Sequence, residues 1–473
     1  MHALFVTSEF APLYKLGGLA DVSFSLPKAL NRHNVHTCVI LPYYREIHLS
    51  RYRCVGSLAV DYDGQRQYVF LFSTTIEGVP VLLLRHEKIL LYHKEPMTDT
   101  FAFFCQAVIA FTRSSERILG YSFDVVHCND WHTGLVPVLM GESYKLNPSV
   151  ESLQAKQGKT IMTIHNMSYH GDGDGHIPEK LGLPRALFHI KDKESVSFLR
   201  EGLEYADMIT TVSPTYAREI QTRAYGGRLA HIFARRKDVV VGILNGIDEE
   251  SWDPKRDRSI RAMYSRQRVT AGKQKNKAHL QGFLRLPRVD VPVFGFIGRL
   301  ESLQKGIDIL LDAFDILFDE EQIHWQCIIL GNGSERVAKR IEAMVRKHPK
   351  ELAFVHAFDD IMARLIYAGS DMIALPSKFE PCGLVQMIAM RYGAIPIVRK
   401  TGGLADSVTD GKTGFVFGAY TARALARAMT GAMTAMTHRT AWRRLVDTAM
   451  RQDFSWRKSA KKYVALYESL AKA

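Results

Sequence analysis

Residues 394–406 read Ala-Ile-Pro-Ile-Val-Arg-Lys-Thr-Gly-Gly-Leu-Ala-Asp, an apolar run followed by a glycine pair and a segment with helical spacing. The same five residues, Gly-Gly-Leu-Ala-Asp, recur at 17–21, again after an apolar run at 3–7. A strand, a loop and a helix make up the repeating unit of a parallel α/β sheet. The repetition therefore predicts two α/β units, one towards each end of the chain.

Other apolar, β-branched runs alternate with helix-length segments along the whole sequence. They lie at 123–127, 159–165, 207–212, 291–298, 325–331 and 371–376. The rhythm restarts after residue 290, and a basic polar stretch follows Asn-Gly-Ile-Asp-Glu at 245–249. Since 473 residues exceed what one hydrophobic core usually supports, we predict two domains with a boundary near residue 246.

Composition excludes several classes of protein. With 47% hydrophobic and 23% charged residues, the chain has the profile of a folded protein. We expect it to be cytoplasmic and not bound to a membrane, because it contains neither a signal-peptide pattern nor a run of about 18 apolar residues. Its six cysteines include no Cys-x-x-Cys pair, so neither a zinc site nor a disulfide framework is expected.

The net charge of +13 lies mainly in two segments, 255–277 and 399–473. Both have the spacing of helices with solvated faces, so we do not expect a nucleic acid as partner.

The glycine pairs and three basic residues are candidates for binding an anion. Glycines at a helix start let the backbone approach a ligand, and the helix N-terminus attracts negative charge. Lys15 precedes the first pair, while Arg299 and Lys305 follow the run 291–298. An enzyme that displaces a diphosphate without metal neutralises it with such groups. A single surface charge is the alternative for each residue alone, but three on ligand-side loops favour a functional site.

Two further groups of polar residues follow apolar runs. Glu380, in Pro-Ser-Lys-Phe-Glu-Pro-Cys-Gly-Leu at 376–384, can accept hydrogen bonds from sugar hydroxyls or merely serve a helix dipole. In the first half, His-Cys-Asn-Asp-Trp-His at 127–132 and Thr-Ile-His-Asn-Met-Ser-Tyr at 163–169 lack the spacing of a helical zinc pair. They fit carbohydrate recognition better, with Trp131 as a sugar-stacking face.

Eight motifs together resemble glycosyltransferase family 5, the bacterial glycogen synthases and plant starch synthases. In family order they are Lys-Leu-Gly-Gly-Leu-Ala-Asp (15–21), Asn-Asp-Trp-His (129–132), Thr-Ile-His-Asn (163–166), Ser-Pro-Thr-Tyr-Ala-Arg-Glu-Ile (213–220), Gly-Ile-Leu-Asn-Gly-Ile-Asp (242–248), Phe-Glu-Pro-Cys-Gly-Leu (379–384), Arg-Lys-Thr-Gly-Gly-Leu-Ala-Asp (399–406) and Asp-Phe-Ser-Trp (453–456). The resemblance covers nearly the whole chain, which makes it far more specific than any single motif.

This resemblance implies the GT-B fold, two Rossmann-like α/β domains with parallel sheets facing a deep interdomain cleft. Residues 1–246 would form the acceptor-side domain, with the last helix, about 454–473, packing back on it, and residues 247–453 the nucleotide-sugar domain. It also implies retaining transfer of glucose from ADP-glucose to the non-reducing end of an α-1,4-glucan, such as glycogen or a malto-oligosaccharide. No metal and no cofactor are expected.

The resemblance also implies roles for individual residues. The catalytic set would be His165, Glu380, Arg299 and Lys305. Donor-binding residues would be Lys15, Gly18, Asn245, Phe358, Cys382, Gly383, Leu384, Thr401 and Gly402, with Phe358 stacking on the base. Asp21, Asp130 and Trp131 would face the acceptor.

Two departures from related patterns bear on activity. Arg299 and Lys305 are six positions apart where the family usually has five, so we hypothesise a bulged loop that still delivers both charges. Position 388 is Ile, where the wider retaining GT-B group commonly has an acid, and Gln386 follows the glucan-synthase pattern instead. A GT-B transferase with a small acceptor and a silent sugar-nucleotide- or glucan-binding protein remain alternatives, and UDP-glucose remains an alternative donor.

Overall fold

A computed structural model describes residues 1–48, 52–90, 97–145, 158–190, 195–301, 304–319 and 324–472. The chain divides into two compact units, Met1–Gly246 with Trp456–Ala473, and Ile247–Ser455. Each unit has its own largely parallel sheet, which confirms the predicted fold class.

The strands of the first unit are β1 (His2–Val6), β2 (His36–Pro42), β3 (Arg53–Tyr62), β4 (Gln65–Ile76), β5 (Val79–Arg85), β6 (Val125–Asn129), β7 (Lys159–Ile164), β8 (Asp172–Asp174), β9 (Ser195–Ser197), β10 (Met208–Thr211) and β11 (Val240–Gly242). Among the described residues, the main sheet has the order β11-β10-β7-β6-β1-β2-β5-β4-β3. Its pairings are parallel except those of β4, and β8 and β9 form a separate antiparallel pair.

The helices of this unit up to the boundary are α1 (Gly18–Asn31), α2 (Glu87–Leu90), α3 (Met97–Leu119), α4 (Val136–Lys145), α5 (Ile177–Lys180), α6 (Phe198–Tyr205), α7 (Pro214–Glu219), α8 (Arg223–Gly226) and α9 (Ala230–Arg235). Successive β1 residues alternate between two cores, Leu4 and Val6 in one, Ala3 and Phe5 in the other. Burial on both faces explains why β1 reads as a continuous apolar run rather than an alternating one.

The second unit contains β12 (Val293–Ile297), β13 (Gln326–Gly331), β14 (Leu352–His356), β15 (Met372–Leu375), β16 (Ile395–Arg399) and β17 (Phe415–Phe417). Its helices are α10 (Val269–Phe283), α11 (Ile307–Asp319), α12 (Glu335–Lys347), α13 (Asp360–Gly369), α14 (Val385–Arg391), α15 (Gly402–Ser407), α16 (Ala422–Thr437) and α17 (Arg439–Met450). Within the part of the chain that is described, its sheet has the all-parallel order β14-β13-β12-β15-β16-β17.

The last helix, α18 (Trp456–Lys472), belongs to the first unit. Its residue Ser459 donates a hydrogen bond to the carbonyl of Leu244 at 2.5 Å. Tyr467 lies with its hydroxyl 2.5 Å from His127 Nδ1, beneath the sheet. These buried contacts attach the C-terminal segment to the first unit.

Each main sheet has a switch point in its strand order. In the first unit, β2 lies on one side of β1, while β6, β7, β10 and β11 follow one another outward on the other side. In the second unit, β13 and β14 lie outward of β12, and β16 and β17 lie outward of β15. In open α/β sheets, ligands bind beyond the carboxyl ends of the strands at such a switch point. A ligand site is therefore expected in the loops that follow β1, β6, β12 and β15.

Candidate active site

In the second unit, Lys305 and Glu380 meet at the switch point. Lys305 follows β12, Glu380 follows β15, and Lys305 Nζ lies 2.7 Å from Glu380 Oε2. The Ser377 hydroxyl donates to the same oxygen at 3.0 Å. Because only 7% of the Glu380 side chain is exposed, its carboxylate is shielded from water. A cationic partner fixes the orientation of a buried carboxylate.

Backbone contacts between the two loops explain this meeting. The N–H of Lys378 donates to the carbonyl of Gln304 at 2.7 Å. Gly306 has a φ of +69°, and a Cβ there would lie 2.1 Å from the Pro376 carbonyl oxygen. A residue with a side chain would push the loops apart, so glycine at 306 brings Lys305 to Glu380.

Arg299 lies at the start of the same loop. Its guanidinium donates to Gln304 Oε1 at 2.7 Å and forms an ion pair with Glu301 at 3.5 Å. Nearly half of its side chain is exposed. The hypothesis of a bulged insertion depends on Ser302 and Leu303, which lie outside the described residues.

Gln386 orients the peptides that follow Glu380. Its Nε2 donates to the carbonyls of Cys382 at 3.0 Å and Gly383 at 2.7 Å. In a trans peptide the C=O and N–H groups point in opposite directions. The N–H groups of Gly383 and Leu384 therefore point away from Gln386, an arrangement suited to binding oxygen atoms of a ligand.

The two Gly-Gly-Leu-Ala-Asp copies each begin a helix, as predicted, but their surroundings differ. A Cβ at Gly402, where φ is +41°, would lie 2.0 Å from the Glu380 carbonyl oxygen, and one at Gly403 2.1 Å from that of Cys382. At Gly17 and Gly18 a Cβ would meet nothing within 4 Å. The second pair thus lies directly against the Glu380 loop and follows Thr401, the buried N-cap of α15. Open space is found only next to the first pair.

This difference corrects part of the prediction for the second copy. The N–H of Gly403 donates to the Glu380 carbonyl at 3.0 Å, so it is not a free donor for an anion. The pair instead fixes the backbone beneath Glu380.

Phe358 follows β14, and 74% of its surface is exposed. Its position just before α13 leaves the ring available to a ligand. Base stacking by this ring stays a prediction.

In the first unit, the loop between β1 and α1 is built around Glu9, which sequence reasoning missed. Glu9 Oε2 accepts the N–H groups of Leu16 and Gly17, each at 2.8 Å. Burial raises the pKa of Glu9, and the two amide hydrogen bonds oppose that rise. On the same loop, Lys15 forms an ion pair with Asp21 at 2.9 Å.

Asp130 and His165 meet where β6 and β7 end. Asp130 has a φ of +53° and accepts the N–H of His165 at 2.7 Å. Burial of its carboxyl group raises the pKa of Asp130 to about 7, and the charge of Glu9 adds to the rise. Burial also lowers the pKa of His165 to about 3, so its imidazole is neutral near pH 7. His165 Nε2 donates to Asn129 Oδ1 at 2.9 Å, which fixes the ring.

Trp131 does not offer a sugar-stacking face, and that prediction is wrong. Only 6% of the residue is exposed. His132 stacks on its ring at 4.0 Å between centroids, and Phe101 packs edge-on at 5.3 Å. A Cβ on Gly171 would lie 2.2 Å from the indole. Trp131 is therefore a core residue beneath the loop that carries Asp130.

Asn245 is buried, and its Oδ1 has no hydrogen-bond partner among the described residues. Leaving a buried acceptor unpaired costs free energy, so this oxygen is suited to a ligand hydroxyl. Within the described ranges, no other buried side-chain atom of the residues predicted to bind the donor is unpaired in this way.

His127 is a structural residue. Its Nε2 lies 2.5 Å from Thr163 Oγ1, and its Nδ1 contacts Tyr467. Burial lowers its pKa to about 3. Across the residues that the structure describes, no three His, Cys, Asp or Glu side chains are grouped to hold a metal ion, and no helix is long and apolar enough to cross a membrane.

Comparison with known proteins adds family relationships. Residues 2–235 match the starch synthase catalytic domain, and residues 285–444 match glycosyl transferases group 1. The glycogen synthase of Desulforudis audaxviator is 39% identical, over 99% of this chain and 96% of that protein. The glycogen synthase of Geobacillus stearothermophilus is 38% identical, over 100% of this chain and 98% of that protein.

Comparison with solved structures agrees with these sequence matches. The catalytic domain of starch synthase IV from Arabidopsis thaliana, solved with ADP and acarbose, has a TM-score of 0.89 at 30% identity, covering 100% of this chain and 99% of that chain. Sucrose-phosphate synthase from Thermosynechococcus elongatus has a TM-score of 0.60 at 19% identity, covering 99% and 98%, and shares the fold.

Proposed function

Because the chain belongs to the family of bacterial glycogen synthases and plant starch synthases, we propose that it transfers glucose from ADP-glucose to the non-reducing end of an α-1,4-glucan, retaining the anomeric configuration. It is a glycosyltransferase. The observation that carries the proposal is the Lys305–Glu380 ion pair at the switch point of the second sheet.

The second unit contributes the groups that handle the leaving diphosphate and the glucose. Lys305 and the exposed Arg299 supply positive charge where negative charge develops on the departing ADP. Glu380 accepts hydrogen bonds from glucose hydroxyls while Lys305 holds its carboxylate in place. The backbone at Cys382, Gly383 and Leu384 binds the sugar, and Gln386 orients these peptides through its hydrogen bonds to the carbonyls of Cys382 and Gly383. Thr401 and Gly402 lie against this loop and bind the donor as well, and Phe358 stacks on the base.

The first unit contributes donor and acceptor contacts of its own. Lys15 and the amide of Gly18 bind diphosphate oxygens, and the unpaired Oδ1 of Asn245 accepts from a glucose hydroxyl. Asp21 and Asp130 bind the acceptor. With its pKa lowered by burial, His165 is uncharged at neutral pH. It acts through its backbone carbonyl, which stabilises positive charge at the anomeric centre, and not as a general acid.

Transfer follows a same-face path without a covalent intermediate or a metal ion. The bond from the anomeric carbon to the β-phosphate oxygen breaks, and the acceptor hydroxyl oxygen forms the new bond on the same face. The acceptor proton passes to the departing phosphate oxygen. Lys305 and Arg299 support this path, because they supply the positive charge that a metal would otherwise supply. The enzyme works in the cytoplasm.

Release of nucleoside diphosphate from ADP-glucose and from UDP-glucose, with glycogen present, tests the proposed function. We expect faster release from ADP-glucose, strict dependence on glycogen, and no change on adding EDTA. Release with a monosaccharide but not with glycogen would support a small-acceptor transferase instead. Donor binding without any release would indicate a silent binding protein. A trapped glucosyl ester on Glu380 would contradict the same-face path.

A further inference from the structure

Glu9 lies just after β1 and bonds to the two residues that directly precede α1. Glu9 is buried, with 9% of its surface exposed. One of its carboxylate oxygens accepts the N–H groups of both Leu16 and Gly17. Gly17 is the N-cap of α1, so these donors lie where a helix leaves N–H groups without internal partners. A carboxylate is the strongest side-chain acceptor for such groups.

The tip of the loop that Glu9 holds, residues 16–18, has little packing of its own. A Cβ at Gly17 or Gly18 would have no neighbour within 4 Å, and the Leu16 side chain is 65% exposed. Backbone bonds between Phe10 and Tyr14, and from Ala11 to Ala20, close its base. Glu9 bonds to the tip of the loop, directly between Lys15 and Gly18 in the sequence.

We propose that Glu9 is a positioning residue for the donor, which holds the loop so that Lys15 and the Gly18 amide face the diphosphate. This inference rests on the proposed function. Glu9 acts through the loop and does not touch the donor itself. Its removal should therefore weaken binding of a nucleoside diphosphate and leave binding of the glucan unchanged.

Two substitutions separate the hydrogen bonds from the charge. Glu9→Ala removes both bonds to the loop. Glu9→Gln keeps an oxygen that can accept both N–H groups, although more weakly than a carboxylate. A hydrogen bond to a charged group is worth enough to change an equilibrium by about tenfold or more. We therefore expect a loss of about tenfold in ADP affinity for Glu9→Ala and a smaller loss for Glu9→Gln.

Glu201 provides a matched control. It is a fully buried carboxylate in the same unit, and it accepts the backbone N–H of His189 at 2.9 Å and lies 3.0 Å from its Nδ1. Glu201→Ala removes a comparable pair of hydrogen bonds away from the loop. We expect it to lower Tm as Glu9→Ala does, without weakening ADP binding.

The experiment is isothermal titration calorimetry of the full chain with ADP, combined with steady-state KM values for ADP-glucose and for glycogen. The expected result is an ADP affinity in the order wild type, Glu9→Gln, Glu9→Ala, with KM raised for ADP-glucose alone. Wild-type affinity in Glu9→Ala, or equal loss in Glu201→Ala, would overturn the role of Glu9.

Two further outcomes keep the test decisive. If Glu9→Ala does not fold, Glu9→Asp replaces it, because its carboxylate is one methylene too short to reach both amides. Unchanged ADP affinity in Glu9→Asp would then overturn the inference. If the wild-type chain itself does not bind ADP, the proposed function fails, and the role of Glu9 falls with it.

Discussion

Lys305 and Glu380 are 75 residues apart in the chain, yet their charged atoms lie 2.7 Å from each other. Gly306 and the Lys378–Gln304 backbone bond hold the two loops together. The pair is therefore fixed by the fold before any ligand arrives, which is the condition for effective electrostatic stabilisation of a transition state.

Replacing either member of this pair should abolish most of the activity. We expect Lys305→Ala and Glu380→Ala each to lower kcat by about 100-fold or more. The double variant should cost little more than either single one, because the two residues act as a unit. Steady-state kinetics of the three variants measures this.

Arg340→Ala is the matched control for that series. It removes an exposed ion pair with Asp312 in the same unit and should leave kcat unchanged. Additive losses from Lys305→Ala and Glu380→Ala would show that the residues act independently.

The two copies of the glycine pair should respond differently to alanine. Gly402→Ala places a Cβ against the Glu380 carbonyl at a positive φ, so we expect Tm to fall by roughly 5 °C and kcat to fall with it. Gly18→Ala meets no neighbour, so Tm should hold or rise slightly while ADP affinity falls. Thermal unfolding and calorimetry compare the pair. Equal stability losses would refute the distinction.

Trp131 should matter for stability and not for the glucan. Trp131→Ala creates a cavity beneath His132 and Phe101, so we expect a loss of about 3–5 kcal/mol in the free energy of unfolding. The milder Trp131→Phe should keep the KM for glycogen within about twofold of wild type. A large rise in that KM without a change in Tm would restore the stacking role.

Asp130 should make stability depend on pH. Its pKa is raised from 3.8 to about 7 by burial, so the folded state binds a proton more tightly than the unfolded state. The stability that this proton contributes is fully present below about pH 4 and is lost as pH rises through 7. Asp130→Asn does not titrate, so its Tm relative to wild type should rise between pH 4 and 7 and then level off. A difference in Tm that is independent of pH would contradict this assignment.

The fold was largely predictable because its strands are buried on both faces. Runs such as 371–376 and 159–165 contain the strands Met372–Leu375 and Lys159–Ile164, and continuous apolar runs between helices are typical of parallel sheets. The antiparallel β3 and β4 were not predicted. Their exposed positions, such as Tyr68 and Phe70, obscure the alternation of buried and exposed residues by which a one-sided strand is recognised.

The site was predictable only in part, because motifs name residues but do not show their surroundings. Glu380 and Lys305 were both chosen from sequence, and the structure brings them together. Glu9 was missed because a single Glu after a strand carries no pattern of its own. Trp131 was misjudged because an aromatic residue next to polar ones can either stack on a sugar or pack in the core. The contacts of Trp131 with Gly171 and Phe101 show that it packs in the core.

Incorporation of radiolabelled glucose from ADP-glucose into glycogen, followed by β-amylase digestion, tests the central claim most directly. β-Amylase releases maltose from the non-reducing ends of α-1,4-linked chains. The account predicts that wild-type protein yields glycogen whose label is released as maltose, and that Lys305→Ala and Glu380→Ala yield almost none. Label that stays in a small soluble product, or that resists β-amylase, would contradict transfer to the non-reducing end of an α-1,4-glucan.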